Sequence, residues 1–230
     1  CMAADPNDGD VVYVGGVNTW RSQDGGFSWH LVNHMTGDGG VQTVHADQHY
    51  LKFWHDQSLL FECNDGGVYV SANGTDWDNI TSNMVISQMY RLGVAQTDSI
   101  KTTCGLQDNG MKYFNGSEWY DIRIFADGME CVIDYTDHNI QYVSSQFGYI
   151  RRTFDAWQNF APIYGNIPGG ANGAWVTPYM LDPNDHNTLY VGYYDLWKST
   201  DMGDSFSSIF NMGSQIQSLN ICPANSNYIY

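Results

Sequence analysis

His45, Asp47 and His49 stand at i, i+2 and i+4, the spacing that puts side chains on one face of a β-strand. Two imidazoles and a carboxylate so placed could hold a transition metal or move protons. They could equally form a hydrogen-bonded network that orders a loop. A second group of polar residues, Asp65, Gln107, Asp108, Asn109, Asp127 and Glu130, falls in Gly- and Asn-rich stretches. Glycoside hydrolysis needs two carboxyl groups roughly 5–10 Å apart, and Asp108, Asp127 and Glu130 are the candidates. Loop Asp and Asn oxygens could instead hold Ca²⁺, although no EF-hand spacing is present. The plain alternative is that these are Asp-Gly turns.

The bulk composition narrows the function classes. Twenty-five acidic residues against nine basic ones give a net charge of −16, which argues against nucleic acid as a partner. The same charge opposes docking to anionic membranes, and no run approaches the ~20 apolar residues of a span, so no membrane insertion is expected. With 43% hydrophobic and only 15% charged residues the chain can bury a core. Residues 1–30 carry no leader pattern, so a mature form or an excised piece is expected. Cys1, Cys63, Cys104, Cys131 and Cys222 lack CxxC spacing, so no zinc site is expected. They are read as free buried thiols, or as one disulfide between two of Cys63, Cys104 and Cys131.

The elements that must position these residues repeat. Asp5-Pro6-Asn7-Asp8 leads to Val12-Tyr13-Val14-Gly15 and then Trp20-Arg21-Ser22. Asp182-Pro183-Asn184-Asp185 leads to Leu189-Tyr190-Val191-Gly192 and then Trp197-Lys198-Ser199, in alignment without a gap. Weaker anchors lie near His55-Asp56 and Thr97-Asp98, at Asp134 and at Cys222. The spacing of roughly 37 to 50 residues is that of a four-stranded propeller blade. Short alternating or β-branched runs separated by Gly, Asn and Asp predict strands throughout, and no amphipathic helix is evident. The expected fold is all-β, a β-propeller of about five four-stranded blades at 5–54, 55–96, 97–133, 134–181 and 182–221. A further blade is expected to begin at 222–230, within a larger propeller.

Ser22-x-Asp24-x-Gly26-x-Ser28-Trp29 is a complete Asp-box, and Ser199-x-Asp201-x-Gly203-x-Ser205-Phe206 differs only in its last aromatic. Ser71-Ala72-Asn73-Gly74-Thr75-Asp76-Trp77 is one residue short. Asn115–Trp119 and Phe154–Trp157 look eroded. In such a box Ser and Asp bond exposed N–H groups, Gly permits positive φ, and the aromatic anchors the bend. The role is structural. These repeats resemble the Asp-box (BNR) propellers of sialidases, xyloglucanases and sortilin-type receptors. The phrases 45–49, 64–69, 105–110, 126–128 and 175–179 are similar to large secreted BNR-repeat proteins of Bacteroidetes, often exported by the type IX system. The resemblance spans residues 5–206.

The resemblance also implies a map. Inner-strand entry loops and second-to-third-strand loops share one face, opposite the boxes. That face would gather His45, Asp47, His49, Asp65, Gln107, Asp108, Asn109, Asp127 and Glu130 around a ligand site at the channel mouth. Trp20, Trp175, Tyr179, Tyr193 and Tyr194 are candidate sugar platforms, Trp175 foremost. Sialidase chemistry needs an arginine triad, and only Arg91 and Arg123 are placed for it. The expected function is a secreted or cell-surface module, bacterial and extracellular, that binds glycan or extracellular protein without catalysis. A xyloglucanase-like hydrolase and a structural component of a surface adhesin or filament are the alternatives. Further blades or domains of the same parent chain are the expected partners.

Overall fold

A computed structural model describes residues 1–54, 59–84, 86–124 and 126–230. The anchor near His55-Asp56 lies outside them. Two compact units divide the chain at Ile86.

The first unit holds β1 (Met2–Ala4), β2 (Val12–Gly15), β3 (Thr19–Ser22) and β4 (His30–Leu31), paired in that order as one antiparallel sheet. A short parallel pair follows, β5 (Asn33–His34) with β6 (Gln42–Thr43). The second sheet is β7 (Gln48–Trp54), β8 (Leu59–Asn64), β9 (Gly67–Ser71) and β10 (Asp78–Asn79). The innermost strands β1 and β7 are neighbours. Along β8, half-buried and buried residues alternate, as a pleated strand between two layers requires. Tyr13, Val32, Val44, Leu51, Leu60 and Trp77 form the core between the sheets.

The second unit holds three more meanders. They are β11 (Met89–Val94) to β14 (Trp119–Asp121), through β12 (Thr102–Leu106) and β13 (Met111–Phe114); β15 (Gly128–Ile133) to β18 (Ala161–Pro162), through β16 (Gln141–Ser145) and β17 (Tyr149–Thr153); and β19 (Tyr179–Asp182) to β22 (Ser207–Asn211), through β20 (Asp185–Gly192) and β21 (Asp195–Ser199). β15 lies against both β11 and β19. Every residue of β16 is buried, because sheets cover both of its faces. Met111, Tyr113, Ile122, Cys131 and Val143 fill one interlayer, and Tyr142, Ile150, Tyr179, Leu189 and Val191 the next.

Among the described residues, five four-stranded antiparallel meanders, stacked inner strand beside inner strand within each unit, make the fold all-β and a β-propeller. Sequence repeat and sheet are out of phase by one strand. Each Asp-led anchor falls in the turn after the first strand, so each blade starts one strand earlier than the repeat. Four described anchors are Asx turns: Asp5, Asp98, Asp134 and Asp182 accept the N–H of the residue two positions on, at 2.6–3.3 Å. All five cysteines are free.

Blades approach closely through glycine. A Cβ on Gly105 would lie 2.2 Å from the Met129 carbonyl oxygen, and one on Gly128 would lie 2.0 Å from that of Gly110. This contact sets the 105–110 loop directly on the inner strand of the next blade.

Candidate functional site

The box turns form as hydrogen-bonded cages. Ser22 Oγ donates to Asp24 Oδ1 at 2.8 Å and accepts from Gly26 N at 2.8 Å; Asp24 accepts Ser28 N and Ser28 Oγ at 2.8 and 2.6 Å. Trp29 Nε1 closes the bend on the Gly26 carbonyl at 3.0 Å. Ser199, Asp201, Gly203 and Ser205 repeat the pattern at 2.6–2.9 Å, and Phe206 packs on the adjoining core. Ser71 Oγ and Asn73 Oδ1 build a shortened version over Gly74, Thr75 and Asp76, with Trp77 buried beneath. The Asp24 and Asp201 carboxyls, held charged by their serine hydrogen bonds, drop to about 2.

A third full cage hides in the eroded stretch. Thr153 Oγ1 donates to Asp155 Oδ1 at 2.9 Å and accepts Trp157 N at 3.0 Å, while Asp155 accepts Asn159 N and Nδ2 at 2.8 and 2.7 Å. Trp157 thus occupies the position of Gly26 and Gly203, at φ +72°. That conformation costs an L-residue about 1–2 kcal/mol.

Antiparallel meanders put these turns at one end of each blade and the candidate loops at the other. In the first unit His45, Asp47 and His49 do not come together as a metal triad. β7 begins only at Gln48, and Asp47 takes a left-handed φ of +63°, so strand alternation does not run through 45–49. His45 lies over Gly66 with Nδ1 3.2 Å from the Ala46 carbonyl oxygen. His49 Nε2 turns to Asp65 Oδ1 at 2.5 Å. Among the described residues no three His, Cys, Asp or Glu side chains converge as a metal site would need.

In the second unit the loops converge on an aromatic. Trp175, 44% exposed, donates from Nε1 to Tyr90 Oη at 3.2 Å, and Tyr90 Oη donates to Gln107 Oε1 at 3.1 Å. Phe147 meets the indole edge-on at 5.3 Å from a left-handed φ of +62°. The neighbouring Gln146 Oε1 is buried with no hydrogen-bond partner among the described residues. Asp127 Oδ1 accepts Asp108 N at 3.0 Å and fixes the loop that carries Gln107, Asp108 and the exposed Asn109. Glu130 Oε2 accepts Arg91 Nε at 3.2 Å. Burial pushes the Glu130 carboxyl up, against the opposing pull of Arg91.

Of the other platform candidates, Tyr179 and Tyr193 are core residues, 3% and 1% exposed, bonded to the Glu130 and Gly148 carbonyl oxygens. Trp20 and Tyr194 remain at the surface. Sequence reasoning passed over Tyr90 and Phe147. Tyr90 lies 85 positions from its indole partner, and no local pattern signals such a contact.

No protein-family model matches the chain, and no curated protein does. Similar solved structures include the GH74 xyloglucanase of Xanthomonas campestris, 16% identical over 92% of this chain and 39% of that one, with a TM-score of 0.47. The GH74 enzyme of Niastella koreensis is 12% identical over 99% and 43%, with a TM-score of 0.48. YCF48 bound to D1 peptide is 10% identical over 92% and 67%, with a TM-score of 0.42. The chain spans about two-fifths of the length of the two GH74 proteins. Among the described residues no helix is long and apolar enough to cross a membrane.

Proposed function

We propose that this chain is a secreted or cell-surface propeller module of the Asp-box (BNR) type, of the kind met in large Bacteroidetes proteins, and that it binds glycan without hydrolysing it. The observation that carries the reading is the oriented, exposed face of Trp175. Indole and phenol hydrogen bonds fix its plane through Tyr90 and Gln107, and Phe147 buttresses its edge. A rigid aromatic face costs little entropy to use and packs on the C–H face of a sugar. Gln107, Asn109 and Gln146 lie in the adjacent loops with amides suited to sugar hydroxyls. The box cages support the family reading: three of them place a hydroxyl between an aspartate and a backbone N–H.

A non-catalytic role fits the carboxylates. Asp127 is engaged with a backbone N–H and Glu130 with a guanidinium. One observation favours the glycoside hydrolase instead: Glu130 is a carboxyl raised by burial, as a general acid would be. Residues 222–228 repeat the anchor turn, with Asn225 Oδ1 accepting Asn227 N at 3.0 Å. That repetition supports a further blade, in a longer parent chain.

A glycan array probed with the wild type, Trp175→Ala and Gln107→Ala tests the reading. Captured glycans should be lost with Trp175→Ala and weakened with Gln107→Ala. Reducing ends released from a captured glycan, and abolished by Glu130→Gln, would establish the hydrolase in its place.

A further inference from the structure

We propose that the second unit carries another binding site at the box end of its blades, and that it takes an acidic oligosaccharide through a uronate carboxylate held by Arg123. A groove of about 700 Å³ opens there between the β11–β14 sheet and the 156–160 turn of the next blade. Its size lies within the roughly 300–1,000 Å³ of small-molecule sites. Tyr120 and Phe160 stand at its rim, 45% and 42% exposed, with Trp157 in the wall. Asn139 and Gln158 add amides. Rings beside amides suit the alternating C–H faces and hydroxyls of a sugar.

Charge narrows the class. Ile122 and Ile124 are buried, so the exposed Arg123 between them points away from the core. The other charged groups of the groove are occupied: Asp121 pairs with Lys112 at 3.4 Å, and Lys101 with Asp98 at 3.8 Å. Arg123 makes no ion pair among the described residues. In a chain of net charge −16, an uncompensated guanidinium beside aromatic rings selects an anion, and its fork matches a carboxylate. Trp157 gives the wall a further ring. Its counterparts in the two full boxes are glycines, yet here a large ring is kept in a left-handed conformation, with Nε1 bonded to Gln141 Oε1 at 2.7 Å.

Calorimetric titration of the full chain with trigalacturonate, with cellotriose as the neutral control, tests the site. Trigalacturonate should bind saturably, with an affinity that falls as salt rises, and cellotriose should not. Arg123→Gln and Phe160→Ala, both at exposed positions, should each cost tenfold or more. Trp175→Ala should leave trigalacturonate binding unchanged, which separates this site from the Trp175 platform. Absence of trigalacturonate binding, or a loss smaller than tenfold in Arg123→Gln, overturns the proposal. A hexaglutamate peptide bound as tightly through Arg123 overturns the assignment to sugar.

Discussion

His186 Nδ1 lies 2.9 Å from Oδ2 of the fully buried Asp134, and so ties the first turn of one blade to that of the next. Thr136 Oγ1 stands 3.2 Å from the same nitrogen. One blade earlier, His138 Nδ1 meets Thr97 Oγ1 at 3.1 Å. The anchor turns therefore form a ladder along the second unit, with Asp134 as its most enclosed rung. Asp134→Ala strands the Thr136 N–H along with the imidazole. It should cost about 1–3 kcal/mol of unfolding free energy, from the several hydrogen bonds that this one buried side chain makes. Urea unfolding measures this; a loss below about 0.5 kcal/mol would detach the ladder from stability.

The box carboxylates set an acid limit. Asp24 and Asp201 sit at about 2, and Asp155 is lowered by its bonds to Asn159. An unfolded aspartate titrates near ~3.9. The charged boxes thus stabilise the native state fully above about pH 4, and this contribution is lost as pH falls through about 2. Thermal scans should show Tm falling over that window, and falling less steeply in an Asp24→Asn, Asp201→Asn double variant. An unchanged slope in the double variant contradicts the assignment.

Glu62 should produce the opposite pH dependence in the first unit. Its carboxyl is wholly buried, bonded to Thr19 Oγ1 at 2.6 Å and to Asn33 Nδ2 at 3.0 Å, and burial raises it in spite of those bonds. The native state then holds this proton more tightly than the unfolded chain does. Stability contributed here is greatest in acid and falls as pH rises from about 4.3 through the folded-state value. Denaturation midpoints of the wild type should decline across that range relative to Glu62→Gln. Parallel pH profiles would exclude the effect.

Met202 holds φ +59° in the Ser199 box, while its backbone carbonyl accepts Arg152 Nη1 at 2.7 Å. Met202→Gly relieves about 1–2 kcal/mol of left-handed strain and pays back about 0.5–1 kcal/mol in glycine entropy. The variant should gain roughly 0.5–1 kcal/mol in guanidinium unfolding. A loss of stability would mean that the methionine side chain outweighs its backbone.

Particular residues show how far sequence could be read. Ser22 and Ser199 announce their boxes because each oxygen has a fixed partner at short range. The Thr153 box reads as eroded in sequence because Trp157 stands where glycine is expected and Asn159 where serine is. The cage needs only an acceptor hydroxyl, a carboxylate and two N–H groups, and all are present. The repeat reads one strand later than the sheet because the anchor turn, not the inner strand, carries the recognisable residues. The i, i+2, i+4 spacing of His45, Asp47 and His49 puts side chains on one face only in extended backbone, and Asp47 at a positive φ breaks it. Gln107 and Trp175 were chosen separately, and only the fold links them, through Tyr90.

The most direct measurement follows the indole N–H cross-peak of Trp175 in ¹⁵N-labelled protein during titration with the oligosaccharide captured on the array. A saturable shift of that peak, accompanied by the Gln107 side-chain amide and absent in Trp175→Ala, is the predicted result. A captured glycan that leaves the Trp175 peak unmoved, or an array on which the wild type captures nothing, contradicts the account.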